Sequence, residues 1–170
     1  MASQLKNSRF SNGGSTSRGF SLIELLIVVA VILIIAAIAI PNYIQTKIRA
    51  NEASAAQNLR NISTAEILYA STYGIYYSVD LPTLSGNTAV PDQTHADLID
   101  EVLASGTKSG YNFVYAPVAM DGQGHVVEFS VNANPLSPGT TGQRYFYTDQ
   151  TCVIRSNINT VAGITDPVIQ

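Results

Sequence analysis

Apolar residues are concentrated at one place in this chain. Residues 25 to 40 (LLIVVAVILIIAAIAI) are sixteen consecutive apolar residues without glycine, proline or charge. Extending back to Phe20 gives twenty-one residues broken only by Ser21 and Glu24. As a helix this block spans about 31 Å, close to the roughly 30 Å hydrocarbon core of a bilayer. It is apolar on all sides, which predicts a membrane span and not an amphipathic surface helix. A cleaved secretory signal fits poorly, because the run is too long.

After Pro41 the period changes. Ile44, Ile48, Ala55, Leu59, Ile62, Tyr69 and Tyr73 recur at steps of three, four and seven and form one apolar stripe. Lys47, Arg49, Asn51, Glu52, Gln57, Arg60 and Asn61 fall on wetter faces. Residues 50 to 70 contain six alanines, which favour helix. The stripe therefore predicts one helix from Phe20 to Tyr73, about 81 Å long, with Gly74 as its C-cap. Pro41 removes one hydrogen bond inside it and predicts a kink or local opening near Ala37.

The remainder is punctuated by Gly74, Pro82, Gly86, Pro91, Gly106 and Gly110. Gln93 to Ser105 predicts a short helix, capped by Thr94 with Asp97 as its acidic partner and Ala96, Ile99, Leu103 and Val102 inward. Strands are predicted at Tyr111 to Ala119, His125 to Val131, Arg144 to Thr148 and Cys152 to Arg155, joined by Gly-containing turns as an antiparallel meander. Pro117 marks an edge or a strand end. The expected fold class is α+β: a long N-terminal helix, half apolar and half amphipathic, on a small antiparallel sheet of three or four strands.

Composition narrows the function. The 170 residues are 46% hydrophobic and 12% charged, against about 25% charged in a typical soluble domain. Nine Lys and Arg against twelve Asp and Glu disfavour a nucleic-acid binder. Cys152 is the only cysteine, so no internal disulfide forms. It is read as a buried or turn cysteine, with an intersubunit bridge or lipid attachment as the alternative. His95 and His125 lack a zinc framework. Asp149 and Asp166 are too scattered for a calcium site, and no nucleophile or phosphate-loop arrangement is present. No cofactor or metal is expected, and the chain is expected not to be an enzyme. Eight of nine tyrosines (69, 73, 76, 77, 111, 115, 145 and 147) are expected to frame the helix–sheet interface and the head surface.

Residues 1 to 19 are different in kind. They hold Lys6, Arg9 and Arg18, no acid, and otherwise mostly Ser, Asn and Gly. Positive charge on this side predicts insertion with the N-terminus cytoplasmic and the C-terminus outside. Glu24 is the anomaly, because a carboxylate within an apolar span is costly.

Arg18-Gly19-Phe20-Ser21-Leu22-Ile23-Glu24 resembles the class III prepilin cleavage and N-methylation motif of the type IV pilin and type II secretion pseudopilin superfamily. The likeness covers about residues 18 to 73. It implies that a prepilin peptidase cuts after Gly19 and methylates Phe20, and that Glu24 neutralises the N-terminal amine of a neighbouring subunit. Such a pair offsets the desolvation of both charges and fixes axial register. The implied organisation is a cleaved leader (1–19), a membrane and filament-core helix half (20–43) and a globular head (44–170). Pro41 matches a proline common in the family, whereas Leu33 stands where many members have a helix-breaking glycine.

The resemblance implies a structural pilus subunit, polymerised as a helical homo-oligomer for adhesion, twitching motility or DNA uptake. A pseudopilin of a short periplasmic fibre is the alternative, and a membrane-anchored binding module a more distant one. Implied partners are the peptidase/methyltransferase, the inner-membrane assembly platform with its ATPase, minor pilins, and membrane lipid before assembly; no direct nucleic-acid partner is implied. The implied location is the inner membrane, then the cell surface. Removing the leader leaves six basic side chains against twelve acidic ones, a side-chain net of −6.

Overall fold

A computed structural model describes residues 19–74, 76–86 and 90–169. Residues 1–18 of the expected leader lie outside the described residues. The chain divides into two compact units, one ending at Ile40 and one beginning at Pro41.

Helix α1 covers Leu22–Tyr73 with Pro41 inside it. It starts two residues later than expected, because Ser21 takes the N-cap position: its carbonyl accepts from Leu25 N–H at 3.2 Å. It ends where expected, since Gly74 adopts a φ of +116° that a residue with a Cβ would adopt only under strain. In the first unit, every described side chain through Ile40 is exposed except the half-buried Ala36.

In the second unit α1 becomes one-sided. Ile48, Ala55, Ala56, Leu59, Ile62, Ala65 and Tyr69 are buried. Ile44 is exposed and Tyr73 half-buried, so the stripe is narrower at its ends than predicted. Three polar residues, Asn58, Ser63 and Glu66, are buried on the same helix.

The sheet is a five-stranded antiparallel meander in sequence order: β1 (Thr107–Lys108), β2 (Tyr111–Met120), β3 (Val126–Pro135), β4 (Tyr145–Asp149) and β5 (Arg155–Asn157). The expected meander holds, with β1 added, but the last strand lies at Arg155–Asn157 and not at Cys152–Arg155, because Cys152 turns at a φ of +59°. Inward positions alternate as a half-buried sheet requires: Tyr111 and Phe113 on β2, Phe129, Val131 and Ala133 on β3, and Phe146 on β4. These pack with Leu59, Ile62 and Tyr69 of α1 and with Leu84, Ile99 and Leu103 of the connecting segment in one core.

Pro117 lies inside β2, next to a register shift between Pro117 and Ala119. Only Tyr111 and Asn112 of β2 pair with β1, so the strand is an edge beyond them, as expected of a proline. Phe113 N–H donates outward to Gly106 O at 2.7 Å. The two-residue period puts the amide position of Pro117 on that same outward side, and no ladder bond to β3 is lost.

The predicted helix over Gln93–Ser105 is shorter. Only α2 (Glu101–Ala104) is helical, with Asp100, not Thr94, as N-cap, accepting from Leu103 N–H at 3.0 Å. Asp92 Oδ1 captures the amides of Thr94 (2.8 Å) and His95 (2.9 Å) in a turn instead. Asp97 stands at a φ of +54°, which ends any helix there. Ala96, Ile99 and Leu103 still enter the core, whereas Val102 is exposed.

The C-terminal segment is held by hydrogen bonds. Asp166 accepts from Asn157 Nδ2 and Gly163 N–H, both at 2.8 Å. Arg155 Nη1 donates to Asp166 O at 2.9 Å, and Asn132 Nδ2 to Ala162 O at 2.7 Å. Asp166→Ala would remove both side-chain acceptors. We expect faster amide exchange across residues 158–169, with the sheet unchanged, read by hydrogen-exchange mass spectrometry.

Gly142 is required by packing. A Cβ there would overlap the hydroxyl end of Tyr111, whose ring is fully buried and whose hydroxyl donates to Arg144 O at 2.8 Å. Gly142→Ala should cost about 1–3 kcal/mol by overpacking, measured as a lowered midpoint in chemical denaturation of the full chain.

Candidate functional site

The residues singled out in the sequence stand together at the start of α1. Gly19 is exposed, with nothing within 4 Å of where a Cβ would sit. Backbone here is open to close approach by another protein. Phe20 follows, 84% exposed. Ser21 caps the helix, and Glu24 lies in its first turn.

Glu24 has a task in the single chain. Its Oε2 accepts the Ser21 backbone N–H at 3.0 Å. With Ser21 as N-cap and Glu24 three residues on, this is the return bond of a capping box. It satisfies an N-terminal amide and places negative charge at the positive end of the helix dipole. The Ser-x-x-Glu spacing carries this signal in the sequence. Oε1 has no hydrogen bond among the described residues. Pro41, the fourth residue singled out, lies seventeen positions further along the same helix and takes no part in this cluster.

The other chemistry-bearing residues are scattered over the head. Cys152 sits in a turn at a φ of +59°, its N–H donating to Asp149 O at 2.8 Å. It is half-buried, and burial pushes its thiol above the ordinary range. His125 pairs with Asp121 at 2.8 Å and stacks on Tyr76 at 3.8 Å between ring centroids. Hydrogen bonds from the His125 side chain and backbone pull the Asp121 carboxyl down to about 2. His95 lies 4.0 Å from Asp92 on a different turn. Among the described residues no three His, Cys, Asp or Glu side chains cluster as metal ligands would.

The tyrosines largely frame the interface as expected. Tyr69 and Tyr73 pair on α1, Tyr77 and Tyr115 both contact the Phe129 ring, and Tyr111 tilts against Phe146. One buried group was missed altogether. Glu66 is fully buried on the inward face of α1, and its only sequence signal was an acid four residues after Ile62 and three before Tyr69.

Comparison with known proteins bears on the same end of the chain. The family profile "Prokaryotic N-terminal methylation motif" matches residues 14–40. The type IV major pilin protein PilA of Myxococcus xanthus (strain DK1622) is 50% identical over 58 residues, 34% of this chain and 26% of that protein. The type IV wide pilus major component PilA4 of Thermus thermophilus is 37% identical over 73 residues, 43% of this chain and 50% of that protein. The matches thus span about a quarter and a half of these relatives' lengths. No solved structure matches significantly. A methylation motif abutting an apolar helix, similarity to two pilins there, and a long helix packed on a small antiparallel sheet together support a type IV pilin/pseudopilin superfamily assignment.

Proposed function

We propose that this chain is the precursor of a structural, non-catalytic subunit of a type IV pilus. In this reading a prepilin peptidase cuts after Gly19 and methylates Phe20. The 20–43 segment holds the subunit in the inner membrane and then passes into the filament core, while the 44–170 head coats the fibre. The observation that carries the reading is the exposed apolar surface running from Leu22 to Ile40, which starts at an accessible glycine. An apolar surface of that extent needs lipid or other subunits around it.

The chemistry at the helix start suits both stages. Before cleavage, the capping-box contact lowers the cost of carrying Glu24 at the membrane boundary. After cleavage, the new α-amine of a neighbouring subunit requires a counter-charge in the apolar core. The unengaged Oε1 of Glu24 can accept it while Oε2 keeps its cap. Pro41 leaves the Ala37 carbonyl without its helical donor and marks where α1 can bend or open on assembly. The partners that follow are the peptidase/methyltransferase, the inner-membrane platform with its ATPase, minor pilins and further copies of this chain, with the cell surface as the final location.

Intact-mass analysis of purified surface filaments should show loss of residues 1–19 and the gain of one methyl group at Phe20. Finding only the full-length chain, or no surface filament, overturns the reading. Two substitutions separate the roles of Glu24. Glu24→Ala removes cap and charge, whereas Glu24→Gln keeps a capping-box residue without charge. Both should be cleaved, and both should lose most of the filament yield of the unaltered chain. Normal filaments from Glu24→Gln would reduce the residue to a cap.

A further inference from the structure

Glu66 and Ser78 are both fully buried, and among the described residues no basic side chain forms an ion pair with Glu66. The ion pairs among the described residues are His95–Asp92, Lys108–Asp100, His125–Asp121 and Arg144–Glu52. The groups that face Glu66 are Tyr69 on its own helix, Tyr77 and Ser78 on the connection after α1, and Tyr115 from β2. The nearby Asp80 carboxylate is turned to Thr83, accepting from its N–H at 2.9 Å and its hydroxyl at 2.7 Å. Among the described residues, the titratable side chains that face Glu66 directly are therefore phenols.

The hydrogen bonds can be counted proton by proton. Ser78 N–H donates to Glu66 Oε2 at 2.9 Å, and Tyr115 O–H donates to Ser78 O at 2.7 Å. Ser78 Oγ lies 2.5 Å from Glu66 Oε1 and 3.0 Å from the Asp80 carbonyl. A serine hydroxyl has one proton. If Glu66 is ionised, Oε1 and the Asp80 carbonyl compete for that proton and one contact is left between two acceptors. If Glu66 carries a proton on Oε1, it donates to Ser78 Oγ, Ser78 donates to Asp80 O, and each contact holds one hydrogen.

We propose that Glu66 is a proton-binding site, kept as a neutral carboxylic acid at neutral pH, that clasps α1 to the segment after it and, through Ser78, to β2. Burial acts in the same direction, pushing the carboxyl above its ordinary value against the hydrogen bonds from Ser78. A raised value means that the folded head holds a proton the unfolded chain releases. The clasp's contribution is complete below the ordinary carboxylate value, declines as pH rises, and is gone above the folded-state value. The proposal concerns the head alone and stands apart from the filament reading.

The test compares full-length wild-type and Glu66→Gln chains in detergent micelles. Glutamine reproduces the neutral acid, donating to Ser78 Oγ and accepting from Ser78 N–H. The variant should therefore fold, and failure to fold counts against the proposal. Infrared difference spectra at pH 7 should show a protonated-carboxyl band in the wild type that the variant lacks. Between pH 5 and the folded-state value, the wild-type folding constant should fall relative to the variant, by up to about tenfold per pH unit. Parallel stability profiles, or no difference in the protonated-carboxyl region, overturn it.

Discussion

The head is organised by burial of one face of α1. Between Ile48 and Tyr69 the helix supplies Ala55, Leu59, Ile62 and Ala65 to a core whose other wall is β2, β3 and β4. The inward face of this sheet is apolar and must be covered, and α1 covers it. Ala55 and Ala65 share this core with the larger Phe113, Phe129 and Phe146 of the sheet. The connecting segment closes the same core from a third side through Leu84, Ile99 and Leu103.

Polar contacts then fix what apolar packing leaves free. Asn51 Nδ2 donates to Thr141 O at 2.8 Å, and Glu52 Oε1 accepts from Gln143 and Arg144 amides at 2.9 and 3.2 Å. These tie the helix to the β3–β4 loop at one end. Glu66 and Ser78 tie it to the connection at the other. Between them the register of helix against sheet is set at two separated points. A cluster of aliphatic side chains would specify that register weakly.

Much of this was readable in the residues, for physical reasons that differ by element. The apolar block and the stripe have one helical period over many turns, so α1 declared itself despite Pro41. Strands β2 to β4 alternate and are punctuated by turn residues. The helix over Gln93–Ser105 was misjudged because Asp92 satisfies the Thr94 and His95 amides locally, and this competes with helix in a way composition does not reveal. The spacing of Ala96, Ile99 and Leu103 still reported burial correctly. At the candidate site, Gly19, Phe20 and Glu24 were found by a contiguous motif. Glu66 was not, because its partners lie 12 and 49 positions away, at Ser78 and Tyr115.

The open side of β2 has its own consequence. A strand with unpaired backbone groups invites pairing with other chains, most of all where copies are crowded together. Here the outward amide position at residue 117 has no hydrogen to offer, and the register shift beside it disturbs the regular spacing an incoming strand would need. The margin of β2 left open by β1 thus carries a defect against pairing with another chain. Replacing Pro117 with a strand-former would restore the missing donor and make that margin a better template for an incoming strand.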